Sequence, residues 1–245
     1  YDVFDNLEKL EILNLSASGL TKIRRSLFKN LKNLKKLQLD NNYLDDINEN
    51  FFQDLSNLEQ LDLSKNNLTQ IKENAFNGLV NLKILRLFKN DVEEFEKNCL
   101  NNLTKLEQLI LRDEYERFYS SDKFLKPFNI DNLLNLKVFT LDSSSCHIFN
   151  SLLFSSHNNN LVEIKLSGSK SIKNNIDSSI IFDYLSKWHM NNLEYLELID
   201  FKLPKLNKKA FINMPKLKCL YLYKDEIEFI ESDTFDDLIN LEELD

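Results

Sequence analysis

The sequence predicts an α/β solenoid: short repeated units stacked so that they share one parallel sheet on a concave side, with irregular or short-helical segments on the convex side. Three observations predict it. Leucines recur at fixed offsets, as Leu10, Leu13, Leu15 and Leu20 are matched by Leu34, Leu37, Leu39 and Leu44, then by Leu58, Leu61, Leu63 and Leu68. Asparagines keep the same step, at Asn42, Asn66 and Asn90. Only 3 glycines and 3 prolines occur in 245 residues, too few for a fold built on free-form loops.

The leucine spacing specifies a strand. In x-L-x-L-x the leucines alternate, so they share one face of a short strand and the intervening residues share the other. The first leucine of each unit falls at 10, 34, 58, 82, 106, 136, 161, 193, 217 and 241. Strands at 13–15, 37–39 and 61–63 are therefore expected side by side, parallel and about 4.8 Å apart. One unit cannot bury its own apolar face, and stacking does so mutually. Phe28, Phe52, Phe76, Phe211 and Phe235 form a second apolar column toward the convex side.

Leu34 to Leu55 displays the whole unit, L-x-x-L-x-L-x-x-N-x-L-x-x-I-x-x-x-x-F-x-x-L. In this the chain resembles the leucine-rich-repeat family in its typical 24-residue form, over essentially its full length. The resemblance implies a horseshoe with a parallel concave sheet. It also implies that Asn42, Asn66 and Asn90 bond to main-chain groups where each strand turns away, forming a ladder. One domain, 1–245, is expected. Phe4-x-x-Leu7-x-x-Leu10 reads as the tail of an earlier unit and Leu241–Asp245 as the opening of a later one, so the chain is expected to be a fragment of a longer solenoid.

Regular repeats run over 10–111 and 193–245, and irregular ones over 112–192. Three units lengthen there, and the asparagine column passes to Glu114, Ser144, Ser169, Phe201 and Asp225. Serine and aspartate partly substitute as hydrogen-bonding side chains, whereas phenylalanine does not. Uneven curvature is expected across the middle. The stretch Arg112–Tyr119, dense in charge and aromatics, suits a protruding contact loop. Ile180, Ile181, Tyr184, Leu185 and Trp188 have helical spacing, which predicts a convex helix over 178–189 with Trp188 in the core.

Catalytic and metal chemistry find no footing in the motifs. His147, His157 and His189 lack ligand spacing, and no C-x-x-C, H-E-x-x-H, G-x-S-x-G or phosphate-binding glycine loop occurs. No enzyme activity, cofactor or metal is expected. The net charge of −8 disfavours nucleic acid, and both signs of charge read as an ordinary solvated surface. Cys146 takes a core leucine position, while Cys99 and Cys219 lie too far apart for a disulfide. Sequons occur at Asn14, Asn67 and Asn102, about as many as chance supplies. Asn67 and Asn102 are the candidate glycosylation sites.

A partner-binding role is what remains, on the outward strand positions. Those of the first units are small and polar, and later ones bring side chains enriched in interface hot spots. Phe88, between Arg86 and Lys89, falls where Asp40 and Ser64 stand in earlier units, and suits an anchor. Arg112, Tyr115, Tyr195, Tyr221 and Tyr223 complete the candidate contact set.

Typical units interrupted by long irregular ones resemble Toll-like receptor ectodomains. That resemblance implies a receptor at the cell surface or outside the cell. Its ligand would be a protein or microbial molecule, it would form a homo- or heterodimer, and any membrane contact would come through a segment outside this chain. Two alternatives stay open: a secreted matrix protein, and a cytoplasmic scaffold or enzyme regulator, which the unpaired cysteines favour.

Overall fold

The computed structural model describes residues 3–47, 49–112, 125–126, 128–142, 159–168, 187, 189–201, 203–208 and 210–245. The loop at 113–119 with Tyr115, the ladder positions Glu114, Ser144 and Ser169, Cys146, Trp188 and most of the expected helix over 178–189 lie outside the described residues.

The leucine spacing becomes one ten-stranded parallel sheet. Its strands are β1 (Ile12–Asn14), β2 (Lys36–Gln38), β3 (Gln60–Asp62), β5 (Ile84–Arg86), β7 (Gln108–Leu111), β8 (Val138–Asp142), β9 (Glu163–Ser167), β10 (Tyr195–Ile199), β12 (Cys219–Tyr223) and β14 (Glu243–Leu244). Each strand neighbours the next along the chain, as a solenoid requires. The register runs Leu13, Leu37, Leu61, Leu85, Leu109, Phe139, Ile164, Leu196, Leu220, Leu244. It carries through the three lengthened units, because extra residues between strands leave the pairing of the strands untouched. Leu37, Leu61, Leu85 and Leu109 are fully buried, and the core is a continuous band behind the sheet.

The opposite side departs from the expected helices. Among the described residues it carries one 3-10 turn, Arg25–Phe28, and two small parallel sheets. One pairs β4 (Gln70–Ile71) with β6 (Glu94–Phe95), and the other pairs β11 (Lys205–Leu206) with β13 (Phe229–Ile230). No α-helix appears among these residues, so the described architecture is a β-solenoid, not α/β. The reason is backbone conformation: Asn50, Asn98 and Asp233, at the same place in their units, are left-handed, with φ of 57°, 67° and 66°, and a left-handed residue interrupts a right-handed helix. The phenylalanine column fills this side. Phe28, Phe52 and Phe76 stack at 6.5 Å between successive rings, and Phe211 stacks on Phe235 at 6.1 Å.

Two asparagine ladders satisfy the backbone at the bends. In the inner one, Asn42 Oδ1 accepts from the Ser18 and Leu20 N–H groups, and its Nδ2 donates to the Leu15 and Leu39 carbonyls at 2.9 Å. Asn66 and Asn90 repeat the pattern one and two units later. The residue before each ladder asparagine turns the chain through a left-handed conformation, with φ of 56° at Asn41, 54° at Lys65 and 53° at Lys89. The outer ladder is new. Asn33, Asn57, Asn81, Asn135, Asn160, Asn192 and Asn240 each donate to a main-chain carbonyl of the preceding unit at 2.6–2.8 Å. It continues through the centre, where the inner ladder loses its asparagines.

Candidate binding face

Strand alternation sends one residue set to the core and the other to the solvent face of the sheet. That face is divided. From β2 to β5, Lys36, Gln38, Asp62, Ile84, Arg86 and Phe88 are all partly exposed, as is Gln108 on β7. Asp62 lies directly opposite Arg86 on the neighbouring strand. Burial pushes the Asp62 carboxyl above its ordinary range, and Asp40 adds to this. Hydrogen bonds from Ser64 and the charge of Arg86 pull it back. Arg86 is partly exposed beside Asp62. Phe88 is half-buried, not fully exposed as an isolated surface anchor would be. Lys89 is the left-handed residue of the turn, and its conformation serves the fold.

The middle of the face is closed. Ile110, Arg112, Thr140, Ser167 and Ile199 all sit at outward positions, yet none is more than 9% exposed. Arg112 therefore corrects the sequence expectation, since it is 4% exposed and not a surface contact. Its Nη1 meets Glu197 Oε1 at 2.7 Å, reaching from β7 to β10 past two intervening strands. A guanidinium buried there without a carboxylate would be severely destabilising, which explains the pairing. Alternation in sequence reveals the direction of a side chain and not what covers it.

Glu197 is also the hub of an aromatic cluster. Its second oxygen accepts from the Tyr195 hydroxyl at 2.9 Å. The Tyr195 ring lies 5.0 Å from Lys165 Nζ and 5.2 Å from the Tyr221 ring, and Lys165 pairs with Glu163 at 2.6 Å. Burial, followed by the Glu197 carboxylate, raises the Tyr195 hydroxyl well above the usual phenol range. The hydrogen bond to Glu243, followed by desolvation, lifts Tyr221 to about 12. Both phenols stay protonated and act as donors. Tyr223 is 37% exposed at the edge, with Lys224 Nζ 5.4 Å from its ring. The register places Tyr195, Tyr221 and Tyr223 on neighbouring strands, as the alternation implies, with Glu197 on the same side; Lys165, on the adjoining strand, was not singled out by the sequence.

Burial lifts the Cys99 thiol to about 12, and Cys219 is raised chiefly by desolvation too, so neither supplies a ready thiolate. No group of three or more His, Cys, Asp or Glu among the described residues is arranged to hold a metal. On the other side, a shallow concavity of about 450 Å³ lies beside the stacked Phe95 and Phe128 rings. Asn67 and Asn102 are both exposed, with the Asn102 amide nitrogen donating to Asn77 at 2.7 Å.

Comparison with known proteins follows the same lines. A family model described as "BspA type Leucine rich repeat region (6 copies)" matches residues 1–126, and one described as "Leucine rich repeat" matches residues 191–245. No curated protein matches. Among 395 matching solved chains is the APL1 leucine-rich repeat domain, which superposes with a TM-score of 0.65 at 17% identity. That similarity covers 99% of this chain and 57% of the APL1 chain, so this chain spans just over half the length of that relative.

Proposed function

The chain belongs to the leucine-rich-repeat family, and we propose that it is a non-catalytic recognition module that grips a protein partner through the open sector of its sheet. One observation carries this reading. From β2 to β7 the face offers Arg86, Asp62, Phe88 and their polar neighbours in partly exposed positions, while Ile110, Arg112, Thr140, Ser167 and Ile199 beyond them are buried. Arginine and aromatic side chains framed by polar residues are the composition of interface hot spots. The Tyr221–Tyr223 edge supplies a second contact zone at the far end.

The finer reading is a receptor ectodomain at the cell surface or outside the cell, binding a protein or microbial ligand and working as a homo- or heterodimer. It rests on the resemblance of the irregular centre to Toll-like receptors. A secreted matrix protein or a cytoplasmic scaffold would use the same face. The charge of −8 argues against nucleic acid in each case.

A photo-crosslinking residue placed at Gln38, Asp62 or Phe88 is expected to trap the partner in cells that express the chain. The same residue at Val80, exposed in the turn before β5, should trap none. Phe88→Ala is expected to weaken the interaction while changing stability by less than about 1 kcal/mol, as for a half-exposed side chain. Trapping from Val80 alone, or a Phe88→Ala chain that binds normally, contradicts the assignment of the face.

A further inference from the structure

Gly78 is held at a positive φ with no room for a side chain. Its φ is 90°, and a Cβ placed there would run into the main chain of Gln53 in the preceding unit. It is one of only 3 glycines, and the only one that follows an asparagine. In an Asn-Gly pair no Cβ shields the glycine nitrogen, so that nitrogen reaches the asparagine Cγ more easily than any other residue's would. The Gln53 contact demands glycine, so the reactive pair is built into the fold.

The Asn77 carboxamide is the crossing point of three units. Its Nδ2 donates to Asn50 Oδ1 at 2.8 Å and to Asn74 Oδ1 at 3.0 Å, and its Oδ1 accepts from Asn102 Nδ2 at 2.7 Å. Asn50 lies in the unit that opens at Leu34, Asn74 and Asn77 in the unit that opens at Leu58, and Asn102 in the unit that opens at Leu82. Phe76, fully buried in the aromatic column, anchors the main chain beside it.

We propose that Asn77 is a site of spontaneous deamidation whose rate is set by opening of the stack, and whose product loosens the three units it ties. In the reaction the Gly78 nitrogen gives up its proton and bonds to Asn77 Cγ, and Nδ2 leaves as ammonia. Water then opens the five-membered imide. Breaking the new bond to Cγ gives aspartate, and breaking the older bond to the Asn77 main-chain carbon gives isoaspartate. The three hydrogen bonds hold Cγ in place, so attack waits on local opening. Afterwards a carboxylate oxygen, which only accepts, faces the Asn50 and Asn74 oxygens to which Nδ2 donated. Isoaspartate also adds a carbon to the main chain beside Gly78, where the fit against Gln53 is tight.

Peptide mass mapping of the whole chain at pH 8 tests the proposal, with an isoaspartyl methyltransferase to label isoaspartate. In guanidinium chloride Asn77 is expected to be modified before any other asparagine. In the native chain its conversion is expected to be at least about tenfold slower, because only the opened fraction reacts. Asn102→Ala removes one of the three hydrogen bonds at an exposed position. This variant is expected to speed native conversion several-fold while leaving the circular dichroism unchanged. Chain modified at Asn77, separated by ion exchange, is expected to unfold at lower urea than unmodified chain. Equal rates in the folded and unfolded chain, or an Asn102→Ala chain that reacts no faster, overturn the control by the stack. A modified chain with an unchanged urea midpoint overturns the tie between units. An unfolded chain that converts another asparagine first overturns the site itself.

Discussion

Truncating Phe52 to alanine is expected to cost about 3–5 kcal/mol, the range for buried aromatic side chains. Phe52 is fully buried, with Phe28 and Phe76 stacked on either side at 6.5 Å and Phe51 packed edge-on at 4.9 Å. Losing the ring opens a void between three units at once. Neighbouring units hold each other, so the stability of a solenoid is close to a sum of unit and interface terms. Removing one interface is thus expected to broaden the thermal transition as well as lower it. Urea titration measures the loss, and a change below about 1 kcal/mol contradicts the column.

Asp225→Asn is expected to stabilise the chain by about 3–4 kcal/mol above pH 8, an order-of-magnitude figure from its pKa displacement. Asp225 is 1% exposed and stands where Asn42, Asn66 and Asn90 stand in earlier units. One carboxylate oxygen accepts from the Phe201 N–H at 2.8 Å, as the asparagine oxygens do. The other has no hydrogen-bond partner. By the repeat equivalence it takes the place of an amide that would donate to carbonyl oxygens. Burial, opposed only in part by the Phe201 N–H and reinforced by the charge of Asp200, pushes this carboxyl from 3.8 to about 7.

The pH dependence follows from that displacement. The folded state holds the proton more tightly than the unfolded state, so the native advantage is complete below about pH 4 and is lost as the pH rises through about 7. Asparagine supplies a permanent donor, and its stability should not fall over that window on account of this site. Unfolding midpoints at pH 5 and pH 8 for both chains decide the matter. Equal declines in wild type and Asp225→Asn contradict the assignment.

The sheet was legible because its signal is local and repeated. Each Leu-x-Leu states a strand, and seven copies state a register that continues through Phe139 and Ile164, in units that have lost their asparagines. The inner ladder was legible at Asn42, Asn66 and Asn90 for the same reason. The outer ladder was missed although it is equally periodic: seven units carry asparagine directly before their first leucine, as in Asn57-Leu58 and Asn240-Leu241. An Asn-Leu pair was the available signal, masked by an overall abundance of asparagine.

The remaining differences have other physical origins. The convex segments close by turns and two-residue strands because left-handed residues such as Asn50 and Asn98 interrupt a helix there. Arg112 was misplaced because its partner, Glu197, lies 85 residues away, and no local pattern links the two.

Hydroxyl-radical footprinting of the native chain tests the alternation of the sheet most directly, because neighbouring residues serve as each other's control. Side chains of Leu37, Leu61, Leu85 and Leu109 should resist oxidation, while Ile84, Phe88, Tyr221 and Tyr223 on the solvent face should react. Comparable oxidation of Leu85 and Ile84, or of Leu61 and Phe88, would mean that the chain does not divide its residues between a sealed core and a face available for binding.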